Sequence, residues 1–212
     1  MQEGGCYFAK PDEVKMLSDY CIDSKKEAVN SEIVGQSAKW IADRAGLKNV
    51  PEHTKILVCK IDGVGEKYPL SREKLSPVLG YMIADTVEKG LDFAEKTVEF
   101  FGMGHSAVIH ATDEKVIDEY SLRMKASRVI VNSPASHGAI GDLYNANTPS
   151  LTLGCGSYGG NSVSTNVSTL NLINQKRVVK RRINMQWFKI PERIYFEYDS
   201  IQYLEKMPEI ER

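Results

Sequence analysis

The stretch GCGSYG at 154–159 sets Cys155 between two glycines. A thiol flanked by residues without side chains is accessible enough to serve as a nucleophile. Such a thiol also needs a helix N-terminus or a nearby base to lower its pKa, and the surrounding residues supply neither, so a packing role outweighs a catalytic one. The same six residues match the GxGxxG pattern that cradles a pyrophosphate. That pattern works only where a helix opens at its last glycines and an acid follows about 20 residues on. Here the following residues are NSVSTNVST and the region 174–180 is NQKRVVK, so the glycines are expected to permit a tight turn or a close backbone approach instead. His105, in FGMGHS, lies between a glycine pair and a β-branched run. A neutral imidazole there could take or deliver a proton near pH 7, although a lone histidine packed at a strand end is the plainer reading. Glu73, in SREKLSP, stands just ahead of a predicted strand, and its type and spacing alone assign it nothing.

Metal chemistry finds no footing in the spacing. The cysteines at 6, 21, 59 and 155 and the histidines at 53, 105, 110 and 137 form neither a CxxC knuckle nor an HExxH pair. His105 and His110 would fall on opposite faces of a strand. The cysteines are read as reduced thiols, since a chain of this size does not need disulfide staples.

The elements that must position these residues follow from periodicity. Pro11 to about Val29 has apolar residues near helical spacing with Asp12 and Glu13 in its opening turn, where the helix dipole favours acids. Ser37 to Ala45 reads as a second helix, 55–61 (KILVCKI) as a strand and 78–84 (VLGYMIA) as another. Val87, Leu91, Ala94, Val98 and Phe101 recur at helical spacing and define one apolar face. Then come a strand at 106–111, a helix over Asp113–Lys125 with Val116, Tyr120 and Met124 inward, and a strand at Ser127–Val131. Alternation of this kind predicts an α/β fold with a mostly parallel sheet and flanking helices. Beyond Asn132 the residues turn to Gly, Ser, Asn and Thr, which excludes a long helix.

The 212 residues carry a formal charge of −1, which removes nucleic acid as a default partner. Charge is unevenly spread, because 171–193 holds seven basic side chains against one acidic, a net of +6. Such a stretch is most simply a solvated helix face or charged edge. The longest apolar runs fall far below the ~20 residues of a membrane span, and the N-terminal residues lack the features of a secretory signal, so a cytoplasmic protein is expected.

Longer strings are more specific than any of these motifs. SREKLSPVLGYMIAD, FFGMGHSAVIHATD, ASRVIVNSPASHGAIGDLYN, PSLTLGCGSYGGNS and LINQKRVVKRRINMQWFKIPERIYFE closely resemble successive segments of the aldehyde dehydrogenase part of bifunctional aldehyde-alcohol dehydrogenases. The resemblance runs in order from about Gly4 to about Glu197. It implies an aldehyde dehydrogenase catalytic-domain-like fold, with 1–170 as part of that subdomain and 171–212 as a basic C-terminal segment and the start of a linker. It also implies a CoA-acylating acetaldehyde dehydrogenase, which converts acetyl-CoA and NADH to acetaldehyde, CoA and NAD through a covalent adduct on a cysteine.

Residue by residue, Glu73 matches the family glutamate that holds the nicotinamide ribose, and is therefore the expected cofactor-binding residue. His105 matches the histidine of the GxGH motif beside the reactive thioester, the expected catalytic proton carrier. Cys155 falls in a string that does not hold the nucleophile. In the family, the nucleophile precedes the GGCYFAK-like segment by roughly two dozen residues, so neither it nor the NAD-binding half is expected in this chain. The resemblance thus implies a truncated domain, inactive alone, with NAD as cofactor of the complete enzyme, an acyl-CoA or aldehyde as substrate, no metal and no membrane or nucleic-acid partner, and a homo-oligomeric state. The alternative is a non-catalytic assembly module derived from that domain.

Overall fold

Pro11 presets the first turn of helix α1 (Pro11–Cys21). Glu13 ties that turn down, with one carboxylate oxygen accepting from the Lys10 amide at 2.8 Å and the other from the Tyr7 hydroxyl at 2.8 Å. These contacts belong to a computed structural model that describes residues 1–180 apart from 24, 25, 27, 143 and 144. Contacts within it divide the chain into Met1–Leu172 and Ile173–Arg212. Of the second unit, 173–180 carries no regular secondary structure, and Lys176, Arg177 and Lys180 are exposed. The remainder of the basic stretch and the expected linker lie outside the described residues.

Helix α1 is shorter than its periodicity predicted. It stops at Cys21, and Ile22–Asp23 (β2) and Ala28–Val29 (β3) pair as an antiparallel hairpin. The β-branched Ile22 takes extended backbone and is buried, and Asp23 accepts from the Lys26 amide at 3.2 Å. Such local side-chain to backbone bonding competes with helix.

Strand β1 (Cys6–Phe8) lies parallel to β4 (Ile56–Lys60), which lies parallel to β5 (Val78–Tyr81). The central strand reads as an unbroken apolar run because both of its faces are covered. Leu57, Val58 and Cys59 are all buried, and Leu57 and Cys59 share a core with Leu17 and Cys21 of α1, Ile41 of α2 (Ala38–Arg44) and Leu70. Ser37 caps α2 by accepting from the Trp40 amide at 3.2 Å.

The rest of the alternation builds a second, two-stranded parallel sheet. Helix α3 (Val87–Phe101) leads to β6 (Gly104–Ile109), and α4 (Glu114–Arg123) leads to β7 (Ala126–Val131), which pairs with β6. Leu91, Ala107, Tyr120 and Met124 form its core, and the Tyr120 hydroxyl donates to the Val108 carbonyl at 2.9 Å. The fold is α/β with parallel strands as expected, but β5 bonds to β4 and not to β6, so those strands fall into two sheets. Strand β6 also begins two residues earlier than predicted, because the Gly104 amide donates to the Lys125 carbonyl at 2.7 Å. His105 therefore sits inside the strand. Helix α5 (Ala135–Ile140) is the last helix of more than one turn among the described residues, and the glycine-rich segment beyond it consists of loops and short turns. No helix among the described residues is long and apolar enough to cross a membrane.

Candidate functional site

Glu73 is exposed, yet both of its neighbours are fixed. On one side Arg72 is buried, with its guanidinium 4.9 Å from the ring centre of Phe100 and 4.3 Å from that of Phe101, at the end of α3. A guanidinium is attracted to aromatic faces, the more so as it loses its own water, and Arg72 is buried although Phe101 stays half-exposed. On the other side the Lys74 ammonium turns inward and donates to the carbonyls of Leu70 at 2.5 Å and Arg72 at 2.7 Å. Burial holds the Lys74 pKa below its ordinary value, against the opposing influence of Cys21 and Cys59. A buried ammonium bridging two carbonyls of one loop pins that loop, so the Glu73 carboxylate is presented from a rigid base.

His105 is exposed on β6, and its Nδ1 lies 3.0 Å from the Ser106 hydroxyl. The backbone beside it is held from below. Arg128 of β7 is buried and donates through Nη1 to the His105 carbonyl at 2.9 Å, through Nη2 to the Gly154 carbonyl at 2.5 Å and through Nε to the Asn166 side-chain oxygen at 2.9 Å. Asn166, also buried, donates in turn to the carbonyls of Ala139, Ile140 and Thr148 at 3.0, 3.2 and 2.7 Å. Sequence reasoning passed over both residues. The available signal was an arginine inside the β-branched run ASRVIV, where alternation sets Arg128 on the same face as Ile130, the buried one.

The glycines of GCGSYG do not open a helix. Residues Ser157–Gly159 form a single tight turn, and the loop lies against the start of β6. This agrees with the close-approach reading and leaves a dinucleotide fingerprint without its helix. Cys155 is half-buried, and its amide donates to Asn161 Oδ1 at 2.9 Å.

These pieces converge. Glu73 and His105, far apart in sequence, line the same cleft of about 550 Å³ between the two sheets, together with Ser76, Val98 and Phe101. They also line an adjoining hollow of about 420 Å³, whose wall includes Cys155, Gly159 and Glu99. Glu99 is paired with Lys125, whereas among the described residues Glu73 has no ion pair and its carboxylate is available to a ligand. The Ser76 hydroxyl is buried and lacks a hydrogen-bond partner. The cleft thus combines an unpaired carboxylate and an imidazole on apolar walls. Such a set can accept hydrogen bonds from vicinal hydroxyls and exchange a proton. Among the described residues no cluster of three metal-ligating side chains occurs.

No protein-family model matches the sequence. The aldehyde-alcohol dehydrogenase of Streptococcus pneumoniae is 50% identical over 97% of this chain, which covers 24% of that protein. An acetylating aldehyde dehydrogenase from Geobacillus thermoglucosidasius superposes with a TM-score of 0.79 and 38% identity, covering 87% of this chain and 40% of the other. A probable aldehyde dehydrogenase from Listeria monocytogenes superposes with a TM-score of 0.81 and 34% identity, over 89% of this chain and 41% of the other. The chain spans about a quarter of the length of the aldehyde-alcohol dehydrogenases it matches.

Proposed function

We propose that this chain, which over nearly its whole length is homologous to a segment of the aldehyde-alcohol dehydrogenases, supplies part of the site of a CoA-acylating acetaldehyde dehydrogenase. The reaction consumes acetyl-CoA, NADH and a proton and releases acetaldehyde, CoA and NAD. The observation that carries this reading is the shared cleft of Glu73 and His105, since the two residues that the resemblance assigns to cofactor and acyl transfer need to act on one bound substrate.

The donor set fits a ribose. The unpaired Glu73 carboxylate, which lines the cleft, can accept from its two hydroxyls. NAD(H) would supply the hydride when bound. Glu73 would hold and orient the nicotinamide ribose, and Phe101 and Val98 would keep water from that face. His105 would deliver a proton to the departing CoA sulfur, or take it from the CoA thiol in the reverse direction. The nucleophilic cysteine and the remaining NAD contacts would come from sequence outside these 212 residues.

The test uses a chimera in which this chain replaces the matching segment of the Streptococcus pneumoniae relative. Acetyl-CoA-dependent NADH oxidation by the chimera, with none by the 212-residue chain alone, supports the reading. A chimera that folds and retains alcohol oxidation but has lost that activity overturns it, as does turnover by the isolated chain in proportion to its concentration.

A further inference from the structure

We propose that Arg128 is a positioning residue that sets the reactive placement of His105 relative to the glycine loop. This rests on the reading of His105 as the proton carrier of acyl transfer. The geometry carries it. One buried guanidinium spends its donors on three separate pieces of chain: the carbonyl of His105 itself, the carbonyl of Gly154 beside Cys155, and the side chain of Asn166. Asn166 extends the clasp to Ala139 and Ile140 of α5 and to Thr148.

A core arginine is costly to bury and is retained only where its bonds are satisfied. Backbone carbonyls satisfy Arg128 without neutralising it. A rigid planar fork meets the His105 carbonyl, the Gly154 carbonyl and the Asn166 side chain in one fixed geometry, which a lysine's compact ammonium, with its donors clustered at one point, does not reproduce across three separate groups. His105, Cys155 and Gly159 all line the adjoining hollow, and Gly104 beside His105 packs directly on the backbone of Cys155 and Gly159. Arg128 therefore fixes the backbone that carries the imidazole relative to the glycine loop, while not itself lining the cleft or the hollow. The partner strand places it there by register, since Arg128 sits opposite Ser106, one residue past His105.

The prediction is energetic coupling. In the chimera, Arg128→Lys should slow acyl transfer to CoA about 10-fold or more, because small misplacements of a reacting group cost rates of that order, while the apparent affinity for NADH stays within about two-fold. In a His105→Ala background the same replacement should change acyl transfer less than about two-fold, since the group it positions is gone. A purely structural role would lower both backgrounds by the same factor.

Asn166→Ser, which withdraws the acceptor from Arg128 Nε and leaves the arginine in place, runs the same cycle and decides the matter if Arg128→Lys does not fold. Coupling in either cycle supports the proposal. Equal losses in both backgrounds, or full acyl transfer by a folded Arg128→Lys, overturn it while His105 keeps its role. No effect of His105→Ala alone would instead overturn the assignment of His105, and this inference with it.

Discussion

Gly104 and Gly159 meet backbone to backbone: a Cβ on Gly104 would lie 2.5 Å from the Gly159 amide nitrogen and 2.4 Å from the Cys155 carbonyl oxygen. Gly104 also has a φ of +92°, where a side chain is strained whatever the space around it. Gly104→Ala should therefore destabilise the chain by about 2 kcal/mol or more, combining backbone strain with overpacking that the neighbouring main chain cannot relieve. Gly4→Ala, with open space around it, is the control. Urea midpoints of the two variants check this, and equal midpoints would mean that the loop does not rest on β6.

The four cysteines should separate into two classes under alkylation. Burial disfavours the thiolate and pushes Cys21 up to about 11 and Cys59 up to about 12, so both remain protonated at pH 8. Both are also fully enclosed in the core. Iodoacetamide on the native chain at pH 8 should modify Cys6 and Cys155 and spare Cys21 and Cys59, with peptide mass mapping as the readout. Labelling of all four at similar rates in native buffer would contradict the packing of α1 on β4.

Where the sequence was legible, one physical signal was sufficient by itself. The spacing of Leu91, Ala94 and Val98 located the inward face of α3, because a helix packed on a sheet must repeat its apolar residues at that interval. The ends of that stripe behave differently. Val87 is 57% exposed and Phe101 is 50% exposed, Phe101 being used at the cleft as a stacking partner for Arg72. Helix α1 ends short of its apolar stripe, which continues in composition after the backbone has turned into a hairpin at Ile22. The same limit applies to the site. Glu73 and His105 stood in recognisable strings, but the residues that hold them, Lys74, Arg128 and Asn166, act through contacts to carbonyls distant in sequence. Spacing cannot reveal those contacts.

Cys155→Ser in the chimera should lower acetyl-CoA-dependent activity only modestly. The Cys155 side chain packs in the glycine loop, with Sγ 3.8 Å from the Leu153 carbonyl, and a serine is smaller and more polar but fits the same backbone. Removal of a true nucleophile abolishes covalent turnover. Stoichiometric acylation of the enzyme by acetyl-CoA, followed by mass spectrometry, separates the cases. If Cys155→Ser no longer took up the acyl group while still binding NADH, Cys155 would be the nucleophile and its assignment to loop packing would fall.

Glu73 and His105 share a cleft, but their proposed roles differ and so should their kinetics. Glu73→Gln keeps the size of the side chain and removes the charged acceptor, so it should weaken cofactor placement and slow hydride transfer while acylation by acetyl-CoA proceeds. Loss of one charge-assisted hydrogen bond of this kind is worth about 1.5–3 kcal/mol, or roughly a 10- to 100-fold effect. His105→Ala should do the reverse, leaving NADH affinity in place and slowing acyl transfer to or from CoA by ~100- to 10,000-fold, the usual cost of losing a general acid or base. Rapid-mixing measurements of enzyme acylation and of NADH consumption, made separately on each variant of the chimera, distinguish the two patterns. Hydride transfer unchanged in Glu73→Gln would remove Glu73 from the cofactor site, and unchanged rates of both steps in His105→Ala would return His105 to the role of an exposed residue at the start of β6.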